Sequence, residues 1–559
     1  MSDSDPFSTH EVLNQSPIFG DIDLYASDQV LSEAIHREGG EGAAGRLRSF
    51  GALAGSRDML EEGRLANESP PRLRRFDEKG RPLDIVEYHP AYHRLMATSM
   101  AAGLHCSVWE HLATPGASPR PGAHVERAGA FYMAAQMEAG HCCPITMTSA
   151  AVATLIEEPA IARVLLPRIL SRDYDRRIRP MTDKTAITIG MGMTEKQGGT
   201  DVRANTTRAT PIANGGPGGE YLITGHKWFM SAPMSDAFLV LAQAPGGLAC
   251  FLMPRLLPDG SANPIRIQRL KDKLGNRSNA SAEVEFARTS AWMIGEEGRG
   301  IATILAMVTL TRLDCAVSSA GLMRLCLANA LLHTRHRKVF GRVLADEPVM
   351  TPVLADLALE VEAATALAFR LARAFDHAGD EGEAAFRRLM TPVVKYLVCK
   401  TAPGFAAEAM ECLGGNGYVE EGLLARAYRE LPVNAIWEGS GNVMCLDVLR
   451  VMMKEPDAVE SVLDGLAKSV AGDRRIATAL ERVRDILHRP RDIELNARAF
   501  VEGLAAVSAA ALLRASAPQA VADAYVATRL EGGFARHYGV GLARADMKAI
   551  VARALPAGT

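Results

Sequence analysis

Glu438 is set apart by its neighbours. The stretch Ala435-Ile436-Trp437-Glu438-Gly439-Ser440-Gly441-Asn442-Val443-Met444 places a carboxylate between large apolar residues and a Gly/Ser turn that opens a helix. Ile436 and Trp437 are expected to dry the approach to that carboxylate. Desolvation disfavours the anion and moves its pKa toward the range in which a carboxylate trades protons. Gly439 and Gly441 let backbone and ligand come close, and Ser440 is placed to cap a helix over residues 442–450. The free N–H groups of that helix start offer a site for an anion or a carbonyl oxygen. A base and an electrophile would then share one turn. The alternative is a glutamate that only complements the helix dipole, and these residues alone leave both readings open.

Two further stretches carry chemistry. Met193-Thr194-Glu195-Lys196-Gln197-Gly198-Gly199-Thr200-Asp201 is a polar Gly/Thr loop whose amides and hydroxyls suit ring-edge and phosphate oxygens, or else a tight turn. Gly225-His226-Lys227-Trp228-Phe229-Met230-Ser231 begins with an expected hairpin glycine and ends in bulky residues that suit the face of a planar ring, or a buried strand. No G-x-G-x-x-G follows a strand into a helix, and the glycines at 215, 216, 218 and 219 fall in an expected hairpin turn, so a Rossmann cofactor site is not expected. His333 and His336 share a helix face without an acidic partner in metal spacing; they read as surface histidines, and no metal is expected. Met191, Met193 and Met230 read individually as core residues.

These stretches must be held by several bodies. At 559 residues, with 48% apolar and 23% charged residues, the chain has the composition of a soluble protein with roughly three or four domains. A net charge of −3 argues against wholesale polyanion binding but not against a local basic surface. The N-terminus shows no secretory signal, no apolar stretch reads as a membrane span, and the scattered cysteines read as buried thiols of a cytoplasmic protein. Residues 1–45 read as a partly extended arm. Residues 46–185 have helical periodicity, with Arg72, Arg74 and Arg75 in a Pro-flanked solvated loop. From 186 to 292 the period changes to that of short strands without intervening helices, a small barrel or sandwich. Residues 293–454 return to long amphipathic helices, an antiparallel bundle. Residues 455–559 form an extra helical domain. There Arg474, Arg475, Arg482, Arg484, Arg489 and Arg491 are interleaved with acids, and 14 Lys/Arg against 13 Asp/Glu leave it nearly neutral.

The order M-T-E-K-Q-G-G-T-D (193–201), G-H-K-W-F-M-S (225–231), R-H-R-K-V-F-G (335–341), L-G-G-N-G-Y (413–418) and I-W-E-G-S-G-N (436–442) resembles the acyl-CoA dehydrogenase superfamily over about residues 45–453. Further wording, R-L-K-D-K-L-G-N-R-S-N-A-S (269–281) and C-L-D-V-L-R-V (445–451), together with the extra helical domain, is similar to the flavoproteins of the bacterial adaptive response to alkylation. The resemblance implies a mainly α fold with a β-barrel middle domain, a helical bundle after it and a further C-terminal helical domain. It implies FAD between barrel and bundle, in a homotetramer built as a dimer of dimers.

By that resemblance, Met193 and Thr194 meet the flavin pyrimidine edge, with Gly199 and Thr200 at the pyrophosphate. Phe229, Met230 and Ser231 flank the ring. Arg337 and Phe340, acting from a neighbouring subunit, hold the ADP half with Gly414 and Gly415, a guanidinium being suited to phosphate. Ser440 and Asn442 also contact the cofactor. Glu438 becomes the base that removes the α-proton of an acyl thioester while hydride leaves the β-carbon. The sequence departs from the pattern at Trp437, where Tyr is usual and which should narrow the pocket, at Thr311, which occupies an alternative base position, and at Pro348, where many relatives carry a cofactor-contacting Gln. Arg450, three turns beyond Glu438, is expected to reach the site or an external phosphate. Three functions follow: dehydrogenation of an acyl thioester; binding of double-stranded DNA through Arg450, Arg474, Arg475, Arg482 and Arg484; and flavin-dependent destruction of an alkylating agent.

Overall fold

The structure is a computed structural model and describes residues 7, 9–487, 492–531 and 537–555. Its first part holds α1 (Gln29–Arg37), α2 (Ala44–Ala54), α3 (Arg57–Glu68), a hairpin of β1 (Arg72–Phe76) and β2 (Pro82–Glu87), then α4 (Pro90–Ala101), α5 (Ala123–Met137), α6 (Cys142–Leu155) and α7 (Pro159–Ile169). The hairpin corrects the all-helical expectation. Arg72, Arg74 and Arg75 lie in a strand, where Arg74 meets Glu87 at 3.6 Å and Arg75 meets Asp84 at 3.9 Å. Cross-strand charge pairing orders a segment that composition alone suggested was loose. The arm, too, is helical from Gln29, because Leu31, Ala34 and Ile35 fall on one face and are buried.

The strand-rich part contains β3 (Ile189–Gly192), β4 (Arg208–Pro211), β5 (Glu220–Ser231), β6 (Ala237–Ala244), β7 (Gly247–Pro254), β8 (Ile265–Leu270) and β9 (Ser281–Ile294). The order β6-β4-β5-β9-β7 closes through pairing of β7 with β6, leaving β3 and β8 as flanking strands. Alternation sorts the side chains. On β6, Phe238, Val240 and Ala242 face one core cluster with Phe251 and Met253 of β7, while Ala237, Leu239 and Leu241 face another with α6 residues Met147 and Ala151. Both faces are covered, so β6 reads as a continuous apolar run.

The bundle follows: α8 (Gly300–His336), a small hairpin of β10 (Lys338–Val339) and β11 (Arg342–Val343), α9 (Met350–Asp376), α10 (Glu381–Leu413), α11 (Gly415–Tyr418), α12 (Leu423–Asn434) and α13 (Gly441–Lys454). α8 runs through the middle of the molecule. A Cβ at Gly321 would overlap the Tyr132 carbonyl oxygen, so α5 and α8 approach at backbone contact. Arg127 of α5 forks onto Asp314 of α8 with two 2.7 Å bonds, both side chains buried. His333 is buried in α8, not on the surface as its spacing suggested.

The last part comprises α14 (Pro456–Val470), α15 (Arg474–Leu487), α16 (Ala497–Ser516), α17 (Gln519–Val526) and α18 (Met547–Ala554). Two helices, α8 and α16, are long and apolar enough to cross a bilayer, against the reading of the sequence, and most of that surface packs against protein.

Candidate active site

Glu438 sits in the turn between α12 and α13 with φ 56°, followed by Gly439 at φ 108°. A non-glycine residue in the left-handed region is strained and persists only where its surroundings enforce it. The enforcing groups are clear. Buried Lys395 of α10 donates to the Trp437 carbonyl at 3.0 Å and the Gly439 carbonyl at 2.5 Å, on either side of the base. Arg312 of α8 donates from Nε to the Glu438 carbonyl at 2.9 Å and from Nη1 to Asp447 of α13 at 2.7 Å. The turn is thus pinned at three carbonyls, and the carboxylate is aimed by the backbone.

That carboxylate accepts a 2.7 Å hydrogen bond from Thr311 Oγ1. Burial raises the Glu438 pKa, opposed by the Thr311 bond and by the charges of Arg312 and Lys395. Thr311 Oγ1 also lies 3.0 Å from the Val308 carbonyl and carries one proton. It can donate to the ionised carboxylate, or to Val308 while accepting from the neutral acid. Ile436 does not dry the site as expected, being 66% exposed. Trp437 does: its indole N–H donates to Asn434 at 3.0 Å and it packs against the apolar cluster of Met307, against which Met191, Met193 and Leu310 also pack. Barrel and bundle therefore meet beside the base.

The 193–201 loop reaches the same cluster through Met193. Trp228 N–H donates to the Thr194 carbonyl at 2.8 Å, fixing the loop to β5. Buried Glu195 anchors it, accepting from Thr206 N (2.7 Å), Thr206 Oγ1 (2.9 Å), Thr207 N (3.1 Å), Gln197 Nε2 (2.7 Å) and Lys227 Nζ (3.0 Å). Burial alone would raise the Glu195 carboxyl, but the threonine bonds and the buried Lys227 ammonium hold it far below the usual range; burial pushes Lys227 down to about 8. Gly199 lies against Thr194, while Thr200 is exposed. Met230 is fully buried in the barrel, and Phe229 projects, 47% exposed. The reason is a bulge in β5: the register with β9 slips between Lys227 and Met230, which turns both Trp228 and Phe229 outward, each with Lys271 Nζ over its ring. Ser231 ends the strand, its Oγ 3.1 Å from Ser281 Oγ. Gly225 is not a hairpin glycine but lies within β5 at φ 151°, where a Cβ would strike Thr207.

At the start of α13, Ser440 occupies the cap position but its side chain makes no capping bond, so the first amides of the helix are open. Exposed Asn442 accepts from Arg498 Nε of α16 at 2.8 Å. A second group of residues is gathered elsewhere by the N-terminal segment. Arg337 donates to the Asn14 carbonyl at 2.8 Å, Asn14 pairs with Lys338, and Gln15 accepts from Asn416 at 3.4 Å beside Gly414 and Gly415. Phe340 tips the β10–β11 turn, fully exposed at φ 48°. Among the described residues, no hydrogen bond joins this group to the Glu438 group.

Of the arginines considered for DNA, Arg475 pairs with Asp473 and Asp523, Arg484 with Asp464 and Glu481, and Arg482 donates to the Leu530 carbonyl. Arg450 and Arg474 are exposed and have no partner among the described residues. Arg489 and Arg491 lie outside the described residues. Sequence reasoning left Lys395, Arg312, Asp447, Glu195 and Lys227 without roles. The signal for Lys395 was a lone lysine in the apolar run Pro392-Val393-Val394-Lys395-Tyr396-Leu397-Val398.

Residues 14–176 match the family described as adaptive response protein AidB N-terminal domain, 190–289 the acyl-CoA dehydrogenase middle domain, and 298–453 the acyl-CoA dehydrogenase C-terminal domain. The chain is 47% identical over 531 residues to the putative acyl-CoA dehydrogenase AidB of Escherichia coli, covering 94% of this chain and 96% of that protein. The chain belongs to the acyl-CoA dehydrogenase family, in its AidB branch. It is 32% identical to acyl-CoA dehydrogenase family member 11 of Caenorhabditis elegans, over 76% of this chain and 70% of that one. The crystal structure of Caenorhabditis elegans ACDH-11 in complex with C11-CoA superposes with TM-score 0.83 at 27% identity, covering 93% of each chain. The fold expected from the family, helical and strand-rich with additional helices at both ends, is the fold observed.

The residues present fit the family's flavin. Among the described residues the Gly199 and Thr200 amides and the first amides of α13 have no protein acceptor, and Phe229 stands 47% exposed near the end of β5.

Proposed function

We propose that the chain oxidises short or branched acyl-CoA thioesters between Cα and Cβ, with Glu438 as the base, and does so within the response to DNA alkylation. FAD is the cofactor of this acyl-CoA dehydrogenase-like enzyme and, when bound, supplies the hydride acceptor. Met193, Thr194, Gly199, Thr200, Phe229, Met230, Ser231, Ser440 and Asn442 would hold it. The observation that carries the reading is the Glu438 turn: a lone, half-buried carboxylate with a raised pKa, strained into place by Lys395 and Arg312, beside an apolar junction of barrel and bundle. Glu438 takes the α-proton. Thr311 follows the charge, donating to the carboxylate before the transfer and accepting from the acid after it. Trp437 and its cluster exclude water, which strengthens each of these contacts. The Glu438 backbone N–H is the donor for the thioester oxygen as it gains charge.

Arg337, Phe340, Gly414 and Gly415 form a separate group on the single chain. That separation supports a homotetramer in which they complete the cofactor site of a neighbouring subunit. The nine cysteines, all free and buried, support a reducing compartment, the cytoplasm. The place in the alkylation response is supported by the AidB N-terminal family match. Anaerobic addition of isovaleryl-CoA should bleach the flavin absorbance, and Glu438→Gln should abolish bleaching while retaining the yellow colour. A variant that bleaches as fast as wild type refutes the assignment.

The second reading is binding of duplex DNA, favoured by two exposed arginines without partners among the described residues, Arg450 and Arg474. Replacing both with alanine in the full chain should weaken a mobility shift and lower the slope of log K against log salt by roughly two. Unchanged slope refutes it.

A further inference from the structure

A cavity of about 280 Å³ lies between the N-terminal helices and the barrel, lined by none of the residues assigned to flavin or base. Part of its lining is apolar: Val86, Met96, Pro144 and Met234, with Tyr88 and Tyr92 stacked at 4.3 Å between ring centres. The lining also carries Arg176, Arg177, Lys184 and Arg255, with Glu87 and Asp175 as its acids.

The charges there are unequally spent. Lys184 is buried against Asp236 at 2.7 Å, and Arg177 holds Asp175 at 2.8 Å. Glu87 faces Arg74 at 3.6 Å. Arg255 donates only from Nε, to the Ser235 carbonyl at 3.2 Å; its two terminal amino groups have no acceptor among the described residues. Beside it the Ser235 hydroxyl is buried without a partner among the described residues. Buried polar groups are ordinarily satisfied; the Ser235 hydroxyl is not, and beside it the two terminal amino groups of Arg255 are free to meet a ligand in the cavity. Burial has pushed the Arg255 pKa down, a cost that an incoming anion would relieve. Arg176, exposed and without a partner among the described residues, stands with Ile178 at the rim.

We propose that this cavity is a second ligand site, separate from the Glu438 site, which binds a small monocarboxylate with an apolar chain or aryl body. Arg255 takes the carboxylate on its paired terminal amino groups, Ser235 donates its hydroxyl, and the body lies on the tyrosine and methionine wall. One unspent guanidinium inside the cavity balances one negative charge, and its planar fork matches a carboxylate, so a phosphate dianion is the poorer fit. The volume is at the small end of ligand pockets, which span roughly 300–1,000 Å³.

The test is calorimetric titration of the FAD-loaded protein with octanoate, octanol and inorganic phosphate. Octanoate is expected to bind at least tenfold more tightly than the other two. Its affinity should be unchanged in Glu438→Gln with that site filled by excess thioester, and should fall at least tenfold in Arg255→Gln. Arg176→Glu, at the exposed rim, should weaken binding as well and decides the matter if Arg255→Gln does not fold. Absence of octanoate binding, displacement by thioester, or affinity indifferent to the arginine variants overturns the proposal.

Discussion

Thr311→Val removes one hydroxyl from beside the base and little else, since valine has nearly the same shape. In the ionised state the carboxylate loses a charge-assisted hydrogen bond at 2.7 Å, worth about 1.5–3 kcal/mol. In the neutral state it loses the ordinary bond in which Thr311 accepts and turns its own proton to Val308, 3.0 Å away, worth about 0.5–1.5 kcal/mol. The difference, roughly 1–1.5 kcal/mol, raises an already elevated pKa by about one unit. Glu438 works as a base only when ionised. The acid limb of the rate should therefore move about one pH unit toward alkali, while the high-pH plateau stays near wild type. Stopped-flow bleaching of the flavin by thioester under anaerobic conditions, run from pH 5 to 9, reads both. A plateau that falls at every pH, with the limb unmoved, would mean that Thr311 shapes the pocket and does not tune the base.

Lys395→Met should cut kcat/KM at least tenfold with flavin content unchanged, because two carbonyls flanking Glu438 lose a cation worth about 1.5–3 kcal/mol in hydrogen bonding; thioester kinetics and the 450 nm absorbance of the same sample check it. Glu195→Ala should instead lower flavin content, since it strips the five contacts that hold the 193–201 loop, and the ratio of flavin to protein absorbance reads that loss. Gly321→Ala should destabilise by about 1–3 kcal/mol through the clash with the Tyr132 carbonyl, seen as a lower Tm by scanning fluorimetry. Arg127→Met should cost more, about 3–5 kcal/mol, because Asp314 stays buried without its partner.

The architecture was legible because side-chain period follows the elements: the change at Ile189 and the return after Ile294 are both visible in the chain. Glu438 was legible because a carboxylate among Ile, Trp and Gly is unusual in itself. Its supports were not. Lys395 is 43 residues away in sequence and Arg312 lies on another helix, so their meeting depends on how α8, α10 and α13 pack. Ile436 and Trp437 looked alike as apolar neighbours, yet the turn faces one outward and the other inward. The β1–β2 hairpin was missed because five residues rich in arginine carry no alternation, and the arginines of α15 looked available because composition does not show which acids they meet.

One buried cluster runs without a break from Leu24 through α5, α8, α9 and α10 to Leu555. Arg324 of α8 joins its two ends, donating to the Ser27 carbonyl at 2.9 Å and to the carbonyl of Ala554. The final hundred residues are consequently not luggage strapped to a finished enzyme. Shortening the chain at Glu455 would open the oily centre, take one acceptor from Arg324 and leave Asp356, Glu360 and Glu362 of α9 without Arg529 and Arg553, so whatever the tail touches outside, its integrity is felt at the helix that carries Thr311.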